Sequence, residues 1–125
     1  MISRRALLLS TSTAAVLATT ACISAPPMDE KEVNDAVAQV EGVTSVDITV
    51  GRSGTADWSL RGQVGLPDDP AQARTVYENC LRAIAALPAK SNLGLYVYGK
   101  SAAGELDPSD LGLPDSTARL KEHFN

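Results

Sequence analysis

The side chains of this chain that could do chemistry are few: Cys22 and Cys80, the lone His123, the pair Tyr96 and Tyr98, and carboxylates at Glu105, Asp107 and Asp110. Cys22 closes an apolar stretch, Ala6 to Ala21, and a cysteine in that position can be thioether-linked to diacylglycerol. Each buried lipid methylene is worth about 0.8 kcal/mol, so two or three acyl chains hold a small domain firmly on a bilayer. With Cys22 carrying lipid, Cys80 has no intramolecular partner. An odd cysteine in an exported chain is a buried thiol or one half of an intermolecular bridge. Cys80 falls on the apolar stripe of a helix, which favours the buried thiol.

Catalysis finds no footing in the remaining residues. A nucleophile needs a base beside it, and the single histidine, His123, stands two residues from the C-terminus. The serines lack a Gly-x-Ser-x-Gly elbow. One histidine and one spare cysteine do not make a zinc or copper site. Calcium prefers oxygen ligands, but the spacing of Glu105, Asp107 and Asp110 fits no EF-hand loop, and Pro108 interrupts it. A solvated acidic loop is the expected reading. The glycines of Gly51-Arg52-Ser53-Gly54 lack the following Lys-Ser/Thr of a phosphate cradle and read as a turn. No enzyme activity, metal or cofactor is expected. Binding is a different matter. Tyr96 and Tyr98 alternate with apolar residues and so share a strand face, with Arg61, Thr49 and Gln63 as candidates to surround them. Tyrosine and arginine are enriched where partners bind.

The elements that position these residues follow from periodicity. Val33, Ala36, Val37 and Val40 form one stripe of a helix over Asp29–Glu41, with Asp29, Glu30 and Glu32 at its dipole-favoured end and Gly42 as its stop. Val46, Ile48 and Val50 alternate with Ser45, Asp47 and Thr49 in a strand over Thr44–Gly51. Trp58, Leu60, Val64 and Leu66 alternate with polar residues in a second strand, Ala56–Leu66, and a short Gly-containing loop makes the two a hairpin. Asp69, Pro70 and Gln72 carry the spacing of a helix start. Ala73, Val76, Tyr77, Cys80, Ile84 and Leu87 continue as a stripe, and Pro88 closes it. Arg74, Glu78 and Arg82 have the spacing of surface ion pairs. Leu93, Leu95 and Val97 line the buried face of a third strand, Asn92–Lys100. Ser101–Pro114 has too much Gly, Pro and Asp for a regular element, and a short helix over Asp115–His123, capped by Asp115, follows. The expected fold is α+β: a three-stranded antiparallel sheet in the order 2-1-3, two helices packed on one face, αββαβ plus a short C-terminal helix.

Composition and the N-terminus define an address. Arg4 and Arg5 precede the apolar stretch, and a small-residue site, Ala21-Cys22, ends it, as in an export signal. The stretch is shorter than the about 20 apolar residues of a membrane span and is diluted by Ser and Thr. Ser3-Arg4-Arg5-Ala6-Leu7-Leu8 resembles the twin-arginine export motif, with general secretion as the other route. Thr19-Thr20-Ala21-Cys22 resembles a bacterial lipobox, which implies acylation of Cys22, palmitate included. The expected division is a signal over 1–21, a tether over 22–28 stiffened by Pro26-Pro27, a domain over 29–100 and an extension over 101–125. Loss of the signal removes Arg4 and Arg5, leaving nine Lys+Arg against fifteen Asp+Glu in the mature chain. Such an acidic domain argues against nucleic acid as a partner. Asp47-Ile48-Thr49-Val50-Gly51 and Leu60-Arg61-Gly62-Gln63-Val64 resemble the paired strands of the BON domain, over Val43 to about Val97. That resemblance implies a binding module of the bacterial envelope. The whole chain is also similar to small actinobacterial lipoproteins, which implies an address and no activity. The expected protein is therefore a non-enzymatic module, lipid-anchored on the extracytoplasmic face of the cell membrane. It binds an envelope protein or cell-wall component through its open sheet face. The alternative is an accessory subunit of an envelope complex that acts through its C-terminal segment.

Overall fold

A computed structural model describes residues 25–52 and 57–125. Arg4, Arg5 and Cys22 lie outside the described residues. The described chain runs as α1 (Glu30–Ala38), β1 (Ser45–Gly51), β2 (Ser59–Gly65), α2 (Pro70–Ala86), β3 (Gly94–Ser101), β4 (Gly104–Leu106), a 3-10 turn (Pro108–Leu111) and α3 (Thr117–Phe124). It is α+β, and none of these helices is long and apolar enough to cross a membrane.

The helices begin where side-chain acceptors meet free backbone donors. Asp29 caps α1 by accepting from the Lys31 and Glu32 amides. Asp69 caps α2 by accepting from the Gln72 amide at 3.0 Å, with Pro70 at the first helical position. For α3 the cap is Ser116, which accepts from the Arg119 amide, where Asp115 was the expected cap. Asp115 sits in a bend instead, and its carbonyl accepts from the Leu95 amide at 2.9 Å. The helix can start only after that pairing ends.

The sheet departs from the expected order. It has four strands, β1-β2-β3-β4, not three in the order 2-1-3. It is mixed, not wholly antiparallel: β2 and β3 are parallel, and the two outer pairs are antiparallel. The reason lies on the free edge of β1, which α1 already occupies. Asn34 donates to the Ile48 carbonyl at 2.8 Å and accepts from the Ile48 amide at 3.0 Å. One residue's amide side chain thus imitates a neighbouring strand. Glu30 accepts from the Val50 amide at 3.0 Å. An edge satisfied in this way has no place for another strand, so β3 pairs with β2, and the crossover through α2 makes that pair parallel.

The other edge of the sheet is closed by the chain itself. β4 pairs with the end of β3, from Gly99↔Leu106 to Ser101↔Gly104. At the start of β3, Thr117 donates its amide to the Leu93 carbonyl at 2.9 Å and accepts from the Leu93 amide at its hydroxyl, 3.0 Å away. Between these two patches, the buried Tyr77 hydroxyl donates to the Val97 carbonyl at 2.7 Å. Ser101–Pro114, expected to be irregular, therefore holds β4 and the 3-10 turn. Leu113 and Leu120 join the same core as the sheet and the long helix.

That core lies on one side of the sheet. Ile48, Leu60, Val64, Leu95 and Val97 meet Val33 and Val37 of α1 and Val76, Tyr77, Cys80, Leu81 and Ile84 of α2. Gly62 sits at the centre of β2 with φ 146°, where L side chains are strained. A Cβ there would collide with the Asp47 carbonyl oxygen of β1. Glycine lets the two strands close at that point.

Candidate functional site

Alternation along three paired strands builds the opposite side of the sheet. The register sets Thr49, Arg61 and Tyr96 in one row, and Asp47, Gln63 and Tyr98 in the next. The five residues picked out from the sequence thus share one surface, which no helix of the described residues covers. The C-terminal segment does not cross it: α3 packs its buried Leu120 into the helix side, and its Lys121 ammonium reaches the Leu87 carbonyl.

Tyr96 is the centre of this surface. It is 48% exposed, whereas every other large apolar side chain described is more buried. Its ring folds back over Gly94, where an added Cβ would stand 3.0 Å from a ring carbon. The missing side chain gives the ring its place. The Arg61 guanidinium lies over the same ring, 5.5 Å from its centroid, close enough for a cation–π contact. Arg61 is itself held, because its Nε donates to the Ser59 hydroxyl at 3.0 Å. That hydroxyl reaches the Gly51 carbonyl at 3.4 Å, and Ser59 is buried. Arg61 therefore presents its guanidinium from a fixed stem. Tyr98 is half-buried, while Asp47, Thr49 and Gln63 are exposed. At the end of the face, Lys100 and Glu105 approach to 3.8 Å with both side chains more than half exposed, a pair worth about 0–1 kcal/mol. This surface offers an aromatic ring, a planar cation and flanking hydrogen-bonding groups. It can stack and hydrogen-bond, and none of its residues forms a nucleophile–base couple.

Other residues singled out in the sequence have local partners. The Asp107 carboxylate accepts from the Asp110 amide and pairs with the Ser109 hydroxyl, while Asp110 accepts from the Asp107 amide at 2.8 Å. Asp107 and Asp110 are thus the capping box of a 3-10 turn, while Glu105 lies in β4, and hydrogen bonding to Ser109 holds the Asp107 carboxyl below the usual range. Among the described residues no group of three or more His, Cys, Asp or Glu is arranged to hold a metal ion. His123 is exposed, with its ring edge-on to Phe124 at 5.1 Å, and Arg82 lies over Phe124 at 4.4 Å. Of the ion pairs expected along α2, Glu78–Arg82 forms at 2.9 Å, whereas Arg74 donates to the Asp110 carbonyl. Cys80 is fully buried and unbridged, and burial pushes its thiol up to about 12. A thiol so far from ionising is not a nucleophile.

Sequence reasoning missed the residues that position the site. Ser59 shares the face of Arg61 two residues away, and Gly94 precedes Tyr96 at the same spacing. Both signals are period-two neighbours. Asn34 and Glu30 were also missed, although their i, i+4 spacing puts them on one flank of α1.

No protein-family model matches this chain, no curated protein matches it, and no solved structure matches it.

Proposed function

We propose that this protein is a non-enzymatic binding module of the bacterial cell envelope, tethered to the membrane through lipid on Cys22. Arg4 and Arg5 belong to its export signal. The module engages an envelope protein or cell-wall component through Tyr96, Tyr98 and Arg61. The observation that carries this reading is the Arg61–Tyr96 stack. A buried serine holds the cation, a glycine makes room for the ring, and the most exposed large aromatic of the described chain is the result. Such fixed aromatic–arginine pairs lose little entropy on binding and are enriched in binding hot spots. The BON-like strand pattern and the lipobox-like cysteine agree with the same address.

Photo-crosslinking from position 98 in the native cells tests the reading. A discrete adduct is expected, with the partner's identity given by its mass. The rival reading, an accessory subunit working through its C-terminal segment, gains if only a crosslinker near residue 123 yields an adduct. A Tyr96→Ala/Tyr98→Ala double variant that fully rescues a deletion strain would remove the sheet face from the function. Intact mass of the membrane fraction checks the anchor separately: an unmodified Cys22 on a soluble product removes it.

A further inference from the structure

One end of the domain gathers every element that a short membrane tether would bring down onto a bilayer. Pro27 is clamped there, its carbonyl accepting from the Lys90 amide at 3.0 Å, and Met28 beside it is buried. Glu30 ties the start of α1 to Val50 near the end of β1. The Trp58 carbonyl accepts from the Gly94 amide at 3.1 Å, which brings Trp58 to the start of β3 just after the Pro88–Lys90 turn. Arg52 lies over the Trp58 ring at 5.0 Å. The point of entry, the exposed Pro88–Lys90 turn and the Arg52–Trp58 stack therefore share one end of the molecule. The turn between β3 and β4, around Ala103, lies at the other.

Chain length limits what this end can do. Four residues separate Cys22 from Pro27, and the five residue-to-residue steps between them span at most about 18 Å in any conformation. A domain of this size has a radius of gyration near 13 Å and is roughly 33 Å across. The tether is shorter than the domain is wide, so a lipid on Cys22 holds the Pro27 end within reach of the headgroups. Half-buried Trp with a stacked Arg suits that depth: the ring is amphipathic, and the long cationic stem lies along apolar surface with its charge in water. The carboxylates at this end argue against attraction by an anionic surface. Asp29 and Glu30 are held as a helix cap and a strand-edge acceptor, but Glu32 and Asp57 are exposed to solvent.

We infer that the Trp58 ring with the Arg52 guanidinium stacked on it, together with the Pro88–Lys90 turn, seats on the zwitterionic phospholipid headgroups beside the anchor. The seat stands the domain on the bilayer with its strands pointing away and the Ala103 turn outermost. The Tyr96–Tyr98 face is then a side wall open to a partner. The inference rests on the anchor reading of Cys22, and one experiment separates the two. Trp58 is the single tryptophan of the chain, so its emission reports its own depth. The lipid-modified protein is reconstituted into phosphatidylcholine vesicles with and without brominated acyl chains, and co-flotation is measured alongside fluorescence. Co-flotation with loss of Trp58 emission in the brominated vesicles is the expected result. A Trp58→Phe/Ala103→Trp variant should co-float without that loss. Co-flotation with no quenching of Trp58 overturns the seat and leaves the anchor standing. Equal quenching at positions 58 and 103 overturns the upright orientation. Failure to co-float overturns the anchor, and the seat with it.

Discussion

Tyr77 and Tyr96 stand on opposite sides of the same strand, β3, and have opposite fates. Tyr77 reaches β3 from α2, is fully buried, and donates to the Val97 carbonyl. Burial raises its phenol above the ordinary range, so it stays neutral. Tyr96 comes from β3 itself and keeps nearly half its surface in water, with Arg61 as its companion. On the helix side an aromatic completes a sheet edge. On the open side an aromatic of the same type leaves its ring available. Burial, rather than residue type, separates scaffold from site.

Adjacent residues of β2 break this comparison most sharply. Leu60 is fully buried, while Arg61 beside it is exposed. Leu60→Ala should destabilise the fold by about 2–5 kcal/mol in urea unfolding. Arg61→Ala should stay within about 0.5 kcal/mol. Similar losses at both positions would mean that the open face is structural. The tyrosines give the next effect. Tyr77→Phe leaves the buried Val97 carbonyl without its hydroxyl donor and should cost about 1–3 kcal/mol. Tyr96→Phe should leave the unfolding midpoint unchanged.

Alkali sharpens the same contrast. The folded state holds the Cys80 thiol at about 12 against an ordinary 9.0, because burial disfavours the thiolate. In the unfolded chain that thiol ionises first. Its contribution is fully present below pH 9 and is lost as pH rises from 9 towards 12. Stability should therefore fall above pH 9 by about 1.4 kcal/mol per pH unit. Tyr77 adds to the fall above its ordinary value of 10.0. Chemical unfolding of the wild type and of Cys80→Ala as a function of pH checks this: the variant should lose the part of the slope that begins at pH 9. The smallest effect belongs to the exposed Lys100–Glu105 pair. Lys100→Ala should change stability by less than about 0.5 kcal/mol, and a larger loss would make that corner part of the scaffold.

The open face was readable in advance because it depends only on period two. Thr49, Arg61, Gln63, Tyr96 and Tyr98 each alternate with the core-facing positions of their own strand, so once their segments are strands their side is decided. The start of α2 was equally plain, since Asp69, Pro70 and Gln72 act through local backbone donors. What was not readable was which strands lie side by side. Asn34 looked like an ordinary polar residue of a helix, and only its approach to Ile48 shows that it closes an edge. The role of Asp115 was hidden in the same way, because its carbonyl serves a strand twenty residues earlier.

The chain by itself determined the side of each strand that is buried, the Asp69 cap of α2, and the residues of the tyrosine face. Those features arise from interactions within a few residues or from simple alternation. Tertiary structure alone decided the strand order, the parallel pairing of β2 with β3, the incorporation of residues 101–125 into the core, and the stacking of Arg61 on Tyr96. Each of these depends on hydrogen-bonding groups far apart in sequence finding partners at an edge, and local periodicity carries no record of that choice.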